Sequence, residues 1–330
     1  MCGNWDEVRV RGDHETHLRR FELTKSFLSV ADVSQQQLAA LLDRTTQMKS
    51  LLRKGAASEP NILGNKMVGI LFEKPSTRTR ASFEVAVDRL GGKAIYLSSS
   101  ETQLSRGEPV KDTARILGSY LDCIVARVYS QGSLEEFSKY SGVPVINALS
   151  DLEHPTQAVS DLFTIMEVKG KLEGLKLAYI GDGDNVCNSL LLGAALVGMH
   201  MSVGCPAGYD PDKTILSKAN EIAGNTGAKL SILRKPADAA EEADVLYTDV
   251  WVSMGQEAER QKRLQAFQGY QINSDLLNFA NEDAIVMHCL PAHRGLEIAD
   301  DIIEGARSVV WRQGENKLYG AASTLEMCCK

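Results

Sequence analysis

The sequence predicts an α/β protein with two doubly wound domains, each containing a parallel sheet, joined by interdomain helices. Its 330 residues correspond to about two domains. Short apolar runs, typical of buried strands, alternate with segments of helical periodicity, and such alternation builds parallel sheets covered on both faces. Because the alternation restarts near residue 150, we expect a first domain at residues 1–150 and a second at 151–317. A C-terminal helix at residues 318–330 is expected to pack back on the first domain.

The first half of the chain contains a helix followed by four strands with helices between them. The segment at residues 23–55 begins with turn residues and ends in Lys-Gly, which is typical of a capped helix. Short apolar runs predict strands at residues 66–72, 93–99, 123–129 and 144–149. Helical periodicity predicts helices at residues 76–90, 110–121 and 133–142. Each pair of consecutive strands is thus separated by a crossover of the kind that a parallel sheet requires.

A long helix beginning at Pro155 is expected to join the two halves. Proline suits the first helical position, and four apolar residues follow with a spacing that could line one face. These are Ala158, Leu162, Ile165 and Met166. Further strands are predicted at residues 175–180, 200–206, 229–233, 243–250 and 284–293. Ligands commonly bind in the cleft between two such halves, at the carboxyl ends of the strands.

The composition argues against several classes of protein. A net charge of −7 disfavours general binding to nucleic acids, and no apolar run is long enough to cross a bilayer. The seven cysteines include no C-x-x-C pair, so they indicate neither a disulfide framework nor a zinc site. The N-terminus resembles neither a secretory signal nor a transit peptide, and we expect a cytoplasmic protein. His14 and His17 lack the H-E-x-x-H spacing, which favours a solvated N-terminal arm over a metal site.

The segment "FEKPSTRTRASFE" at residues 72–84 concentrates hydrogen-bond donors just after a predicted strand. Pro75 and the periodicity after it place Ser76 near the N-cap of a helix, whose first N–H groups and partial positive charge suit an anion. Hydroxyl groups and two guanidinium groups add donors, and arginine matches phosphate oxygens with paired hydrogen bonds. The segment therefore favours phosphate binding, although a well-capped helix with two surface arginines fits the same residues. It is not a Walker A loop, because G-x-x-x-x-G-K is absent.

Five motifs occur in an order that resembles the aspartate/ornithine carbamoyltransferase family. They are "STRTR", "ARVY", "HPTQ", "DVWVSMGQE" and "HCLP", and the resemblance extends over residues 22–320. The combination of "SMG" with "HCLP" is the form seen in the ornithine-using members. The resemblance implies two α/β domains, a homotrimer with sites near the subunit interfaces, and neither a metal nor another cofactor.

The resemblance also implies a reaction, in which the carbamoyl group of carbamoyl phosphate passes to the δ-amine of L-ornithine. The products would be L-citrulline and phosphate, in a reversible step of arginine biosynthesis or of arginine and citrulline breakdown. A transferase that uses another amine, such as putrescine, N-acetylornithine or aspartate, stays open as an alternative. This chemistry needs a cradle for the departing phosphate, donors for the oxyanion of a tetrahedral intermediate, and an uncharged attacking amine.

Matching the family motifs residue by residue implies two substrate sites. The implied carbamoyl phosphate contacts are Ser76, Thr77, Arg78, Thr79, Gln103, Arg127, His154, Gln157 and Lys317. The implied ornithine contacts are Asn185, Asp249, Ser253, Met254, Cys289 and Leu290. The residues with catalytic roles would be Arg127, His154, Asp249 and Cys289. The resemblance further implies that Gln103 reaches a neighbouring subunit's site, that the loop with Ser253 closes over ornithine, and that the Leu290–Pro291 bond is cis.

Two features of the sequence leave other functions open. In "GENKLYGAAS", Lys317 stands where the family usually has arginine, which keeps the charge but loses the planar fork. We interpret this as tuning of the site, while a non-catalytic anion-binding homologue is the alternative. The glycines of "YIGDGDN" suggest a dinucleotide-binding oxidoreductase, but Val186 occupies the position of the third glycine.

Overall fold

The computed structural model describes residues 26–53, 61–253 and 257–329, and within these ranges nine strands form two parallel sheets. The predicted α/β class is confirmed. Met254 and the segment with His14 and His17 lie outside the described residues. No helix within the described ranges is both long enough and apolar enough to cross a membrane.

The observed elements follow the predicted alternation closely. The strands are β1 Met67–Phe72, β2 Lys93–Ser98, β3 Cys123–Arg127, β4 Val145–Leu149, β5 Lys176–Ile180, β6 His200–Gly204, β7 Leu230–Leu233, β8 Val245–Thr248 and β9 Ile285–His288. The helices are α1 Gln35–Arg53, α2 Thr77–Arg89, α3 Val110–Tyr120, α4 Gln131–Ser141, α5 Pro155–Lys169, α6 Asn185–Val197, α7 Lys213–Thr226, α8 Pro236–Ala240, α9 Arg260–Ala266, α10 Ser274–Leu277, α11 Asp300–Ile303 and α12 Val310–Cys329.

The order of the strands sets the position of the cleft. The first sheet has the order β2-β1-β3-β4 and the second β7-β6-β5-β8-β9, with every strand pair parallel. In each sheet the order reverses beside the first strand, between β1 and β3 and between β5 and β8. The carboxyl ends of parallel strands at such a reversal open into a crevice that binds ligands. The segments that follow β1, β3, β5 and β8 are therefore the ones expected to carry a site.

Two helix boundaries differ from the sequence prediction. The first helix is preceded by a short 3-10 turn, because Ser29 and Asp32 form a capping box and α1 begins only at Gln35. The C-terminal helix begins at Val310, before the expected residue 318. Its first turns contain Gln313 and Asn316, polar residues that are buried and fully bonded to partners elsewhere in the fold. A polar stretch does not indicate a buried helix until those partners are known.

Helix α12 ties the two halves together through buried hydrogen bonds. Asn316 accepts a hydrogen bond from Lys49 of α1 at 2.8 Å, and its amide donates to Thr164 of α5 at 2.9 Å. The hydroxyls of Thr45 and Ser323 lie 2.6 Å apart. Buried polar groups in such networks hold one specific arrangement, because breaking any bond leaves a costly unpaired group. The network fixes the side of α12 that faces the cleft.

Candidate active site

The main cavity lies between the two sheets at the carboxyl ends of their strands and has a volume of about 600 Å³. It is lined by the start of α2, the ends of β3 and β4, the starts of α5 and α6, the segments after β8 and β9, helix α9, and one residue of α12. The predicted site residues that line it are Ser76, Thr77, Arg78, Thr79, Arg127, His154, Gln157, Asn185, Asp249, Ser253, Cys289, Leu290 and Lys317. Residues far apart in the sequence thus meet in a cavity large enough for two small substrates.

The tip of α2 forms one end of the cavity. Ser76 is the N-cap residue, in extended backbone conformation, and its hydroxyl accepts a hydrogen bond from the N–H of Thr79. The preceding N–H groups of the first turn have no acceptor within the helix, so the tip offers them to a ligand. Arg80, by contrast, pairs with Glu84 at 2.9 Å and lies over the ring of Tyr96, so it supports the helix from outside the cavity.

Arg127 lies at the end of β3 and is only 7% exposed. Its Nε atom is buried and has no hydrogen-bond partner among the described residues. Burial lowers the pKa of Arg127 to about 10, with Asp249 and Cys289 opposing this effect and Arg78 adding to it. Lys74 also lines the cavity, and burial and Arg127 lower its pKa. Cations crowded together in a poorly solvated place indicate that an anion belongs beside them.

His154 precedes α5 and is held by its backbone. Its N–H donates to the hydroxyl of Ser189 at 2.9 Å, which leaves the ring free to face the cavity. The Nδ1 atom is buried and has no partner among the described residues. Burial, followed by Lys317 and Arg127, lowers the pKa of His154 well below its usual value, so the ring is neutral at neutral pH. A neutral imidazole carries one N–H and can serve as a hydrogen-bond donor.

Gln157 and Lys317 form a bonded pair on the floor of the cavity. The Nζ atom of Lys317 donates to Oε1 of Gln157. Burial lowers the pKa of Lys317 to about 8, while Asp161 and Cys289 raise it and Arg127 and Arg78 lower it. Lys317 therefore supplies a cation here at neutral pH, but it can lose its proton when the pH rises slightly above neutral.

The opposite wall of the cavity carries a carboxylate and a thiol. Asp249 follows β8 and is 8% exposed, and one of its oxygens accepts a hydrogen bond from the N–H of Val250 at 2.7 Å. The Sγ atom of Cys289 lies within 4.8 Å of a carboxylate oxygen of Asp249. Burial and Asp249 raise the pKa of Cys289 well above its usual value, so the group is a neutral thiol and not a thiolate nucleophile.

Asn185 and Ser253 border the same wall. The amide of Asn185, the first residue of α6, donates to the carbonyl of Ser150 at 2.7 Å. The hydroxyl of Ser253 bonds to Asp184 at 3.2 Å. Asn185 therefore links the start of α6 in the second half to the segment after β4 in the first half. Any movement between the two halves would change this hydrogen bond.

The chain turns sharply after Cys289. Leu290 has φ of +60° and its N–H donates to Nδ1 of His288 at 2.9 Å, and the predicted cis bond between Leu290 and Pro291 is confirmed. Nε2 of His288 contacts Glu297 at 3.2 Å. Asp249, His288 and Cys289 lie close enough to share a metal ion, but both ring nitrogens of His288 are already bonded to protein groups. This trio therefore does not offer a complete ligand set.

The glycine turn after β5 serves packing and not a dinucleotide. A Cβ atom on Gly183 would lie 2.3 Å from the backbone nitrogen of Pro211, so only glycine fits there. Asp182, beside it, forms a buried ion pair with Arg263. A dinucleotide site would need this turn open to a pyrophosphate. The structure instead fills it with protein.

Two predicted residues are not placed in the cavity. Gln103 begins a 3-10 turn between β2 and α3 and does not line the cavity of its own chain. Met254 lies outside the described residues. Sequence reasoning missed Lys74, Arg260 and His293, which line the cavity. Lys74 could have been found from its position inside the donor-rich segment, whereas the sequence around the other two contains no signal.

Comparison with known proteins gives consistent matches over nearly the whole chain. Residues 25–167 match the model of the carbamoyl-P binding domain of aspartate/ornithine carbamoyltransferase, and residues 173–328 match the model of its Asp/Orn binding domain. The ornithine carbamoyltransferase of Gloeobacter violaceus is 55% identical over 298 residues, which cover 90% of this chain and 93% of the relative. That of Archaeoglobus fulgidus is 50% identical over 301 residues, covering 91% and 96%.

Solved structures show the same likeness. The ornithine carbamoyltransferase from Pyrococcus furiosus has a TM-score of 0.89 and 43% identity, with 92% of this chain and 97% of that chain covered. The structure from Gloeobacter violaceus has a TM-score of 0.83 and 48% identity, with 93% and 99% covered. Sequence and fold thus point to the same relatives.

Proposed function

Because the chain belongs to the aspartate/ornithine carbamoyltransferase family, we propose that it transfers the carbamoyl group of carbamoyl phosphate to the δ-amine of L-ornithine. The products are L-citrulline and inorganic phosphate. One observation carries the proposal: a helix tip and buried cations on one wall of a single cavity face a carboxylate and a neutral thiol on the other. The reaction needs such opposed walls, since one substrate is a dianion and the other brings amines.

Carbamoyl phosphate lies against the tip of α2 in this proposal. The N–H groups of the first turn, the hydroxyls of Ser76 and Thr77, and the guanidinium of Arg78 bind the phosphate. Arg127 contacts both the phosphate and the carbonyl oxygen, and His154 donates to that oxygen. As the C–O bond to phosphate breaks, these donors stabilise both the oxyanion and the departing dianion, which lowers the barrier electrostatically.

Ornithine enters against the opposite wall. Asp249 faces its amino groups and Asn185 its carboxylate region, while Ser253 closes one side. The uncharged δ-amine attacks the carbonyl carbon and forms a tetrahedral intermediate, from which phosphate leaves. Cys289 and the carbonyl of Leu290 orient the amine, and the carbonyl accepts a hydrogen bond from it. No covalent enzyme intermediate is needed, in keeping with the raised pKa of the Cys289 thiol.

A panel of amines tests the proposal directly. The purified chain is supplied with carbamoyl phosphate and, in separate reactions, L-ornithine, putrescine, N-acetylornithine or L-aspartate, and the ureido product is measured. We expect ornithine to have the highest kcat/KM by a wide margin. A higher kcat/KM for another amine would assign the chain to a different member of the family, and no product with any amine would favour an anion-binding homologue.

The activity with ornithine should depend on pH. A free δ-amine has a pKa similar to that of lysine, about 10.4, so only a small fraction is uncharged at neutral pH. We therefore expect kcat/KM for ornithine, measured at saturating carbamoyl phosphate, to rise with pH between about 6 and 8.5. A flat profile over this range would contradict direct attack by the neutral amine.

We also propose a cytoplasmic homotrimer with sites completed across subunits. The six cysteines that the structure describes are free thiols, which suits a reducing compartment. Large apolar side chains are exposed on α2, on the edge strand β2 and on α3: Val85, Ile95, Ile116 and Tyr120. Gln103 lies between the last two of these elements, where a second copy would bring it to a neighbouring cavity. A dilute monomer with full activity in sedimentation experiments would contradict the shared site.

A further inference from the structure

A buried carboxylate lies directly behind the carbamoyl end of the cavity. Asp161, on α5, is 0% exposed and does not line the cavity itself. One of its oxygens accepts hydrogen bonds from the amides of Gln157 at 2.7 Å and Gln313 at 2.8 Å. The other oxygen accepts from the hydroxyl of Tyr247 at 2.8 Å. Every neighbour of this carboxylate is thus a donor, and none of them is a charged group in direct contact.

These contacts determine which way the amide of Gln157 points. An ionised carboxylate only accepts hydrogen bonds, so the NH₂ group of Gln157 must face Asp161. Its carbonyl oxygen, Oε1, is then turned to the opposite side, where it accepts from Nζ of Lys317. In that orientation Oε1 offers the cavity an acceptor, which is what a carbamoyl NH₂ group requires.

We propose that Asp161 is a positioning residue for carbamoyl transfer: it orients the amide of Gln157 toward the substrate and, from the other side of that amide, supplies a buried negative charge that stabilises the cation of Lys317. The proposal rests on the proposed function, because it takes the carbamoyl group to lie against Gln157. It also gives the buried Lys317 a nearby anion. A buried lysine needs such an anion to stay charged more than an arginine at the same place would.

The charges around Lys317 support the second part of the proposal. Burial lowers its pKa to about 8, Arg127 and Arg78 act in the same direction, and Asp161 and Cys289 oppose them. Cys289 is a neutral thiol, and so Asp161 is the anion that acts. Burial raises the pKa of Asp161 to about 6, which leaves it ionised at neutral pH.

Losing this proton would change the chemistry of Lys317. The protonated amine donates a hydrogen bond, whereas the neutral amine carries a lone pair, like the δ-amine of the proposed substrate. Its Nζ could then attack the carbonyl carbon of carbamoyl phosphate and form a C–N bond, as the C–O bond to phosphate breaks and an amine proton passes to the phosphate. The product would be a carbamoylated, permanently neutral Lys317. Asp161 thus protects the site from its own substrate.

The variant Asp161→Asn removes the negative charge of residue 161 and nearly keeps its shape. Asparagine has nearly the same shape and can keep its oxygen toward Gln157 and its NH₂ toward the hydroxyl of Tyr247. We expect kcat/KM for carbamoyl phosphate to fall as pH rises through the pKa of Lys317, because a neutral lysine no longer supplies a cation to the carbamoyl phosphate site. In Asp161→Asn we expect this fall at a lower pH than in the wild type, by roughly one pH unit or more. An unchanged position of the fall would overturn the role of Asp161 in keeping Lys317 charged.

Matched variants separate this effect from general damage. In Lys317→Arg and in Asp161→Asn/Lys317→Arg the fall should disappear from the range of pH 7 to 9, because the pKa of arginine lies well above that of lysine in the same surroundings. If both arginine variants still show the fall in kcat/KM between pH 7 and 9, the titrating group is not Lys317. Asp161→Leu removes the acceptor as well as the charge, and we expect kcat/KM for carbamoyl phosphate at least about tenfold below that of Asp161→Asn at every pH. Equal values would overturn the orienting role.

Mass spectrometry gives a second measurement that does not depend on turnover. After incubation with carbamoyl phosphate alone, Asp161→Asn should gain one carbamoyl group on Lys317 faster than the wild type does. Equal labelling of the two proteins would contradict protection by Asp161. Should Asp161→Asn fail to fold, Asp161→Asn/Lys317→Met, which removes both charges, should fold and melt cooperatively, since no unpaired charge stays buried. Failure of this double variant to fold would contradict the pairing of the two charges. A wild type inactive with every amine would instead reject the proposed function, whatever these variants show.

Discussion

Arg127→Met is expected to lower kcat/KM for carbamoyl phosphate about a thousandfold, the upper range for removing one preorganised oxyanion donor. Arg127 lies at the end of β3, nearly buried, with its Nε unpaired among the described residues. Methionine has a similar length and tolerates burial, so the change removes the charge and donors with little loss of packing. Steady-state kinetics and calorimetric binding of carbamoyl phosphate measure the loss.

The loss should appear in both kcat and the affinity for carbamoyl phosphate. Arg127 is proposed to contact the phosphate, which is present in the ground state, and the carbonyl oxygen, whose charge grows in the transition state. Arg80→Met is the matched control, because Arg80 pairs with Glu84 and lies over Tyr96 outside the cavity. We expect this control to stay within a few-fold of wild type. Comparable losses in the two variants would contradict a specific contact between Arg127 and carbamoyl phosphate.

The fold was largely predictable because strands and helices alternate with clear periodicity. Glycine and proline also mark the turns, as Gly142 does at the end of α4 and Pro155 at the start of α5. The errors came from polar residues whose partners are distant in the sequence. Lys317 was expected to be the last residue of the second domain, just before the C-terminal helix, yet it lies inside α12, bonded to a residue of α5.

The candidate site could be predicted only as far as its residues belong to compact motifs. The family resemblance identified half of the residues that line the described cavity, including Arg127, which alone would resemble an ordinary ion-pair arginine. Asp161 was missed because it lies one turn beyond "HPTQ" on a helix and is hidden behind the cavity wall. A residue that acts through another residue leaves no local pattern, and only the hydrogen-bond network reveals it.

Asp249→Asn is expected to lower kcat/KM for ornithine about a hundredfold while carbamoyl phosphate binds as before. Its carboxylate follows β8 and is 8% exposed, with one oxygen held by the N–H of Val250. Asparagine preserves the shape but removes the charge that would attract the amines of ornithine, and a charge-assisted hydrogen bond contributes about 1.5–3 kcal/mol. Initial rates at varied ornithine give the effect, and direct binding measures carbamoyl phosphate separately.

The decisive part of this result is the difference between the two substrates, because the change should lower kcat/KM for ornithine and leave the binding of carbamoyl phosphate unchanged. Asp249 also acts on Arg127 across the cavity and opposes the lowering of its pKa by burial, and with this contribution the pKa is about 10. That value lies about three pH units above neutral pH, so we expect Arg127 to stay protonated when this one neighbouring charge is lost. The phosphate wall should therefore keep its charge in Asp249→Asn. Asp283→Asn is a suitable control, since it removes an exposed carboxylate that pairs with Lys169 away from the cavity. If Asp249→Asn weakened the binding of carbamoyl phosphate as much as that of ornithine, the two walls would act as one electrostatic unit. The assignment of one substrate to each wall would then be wrong.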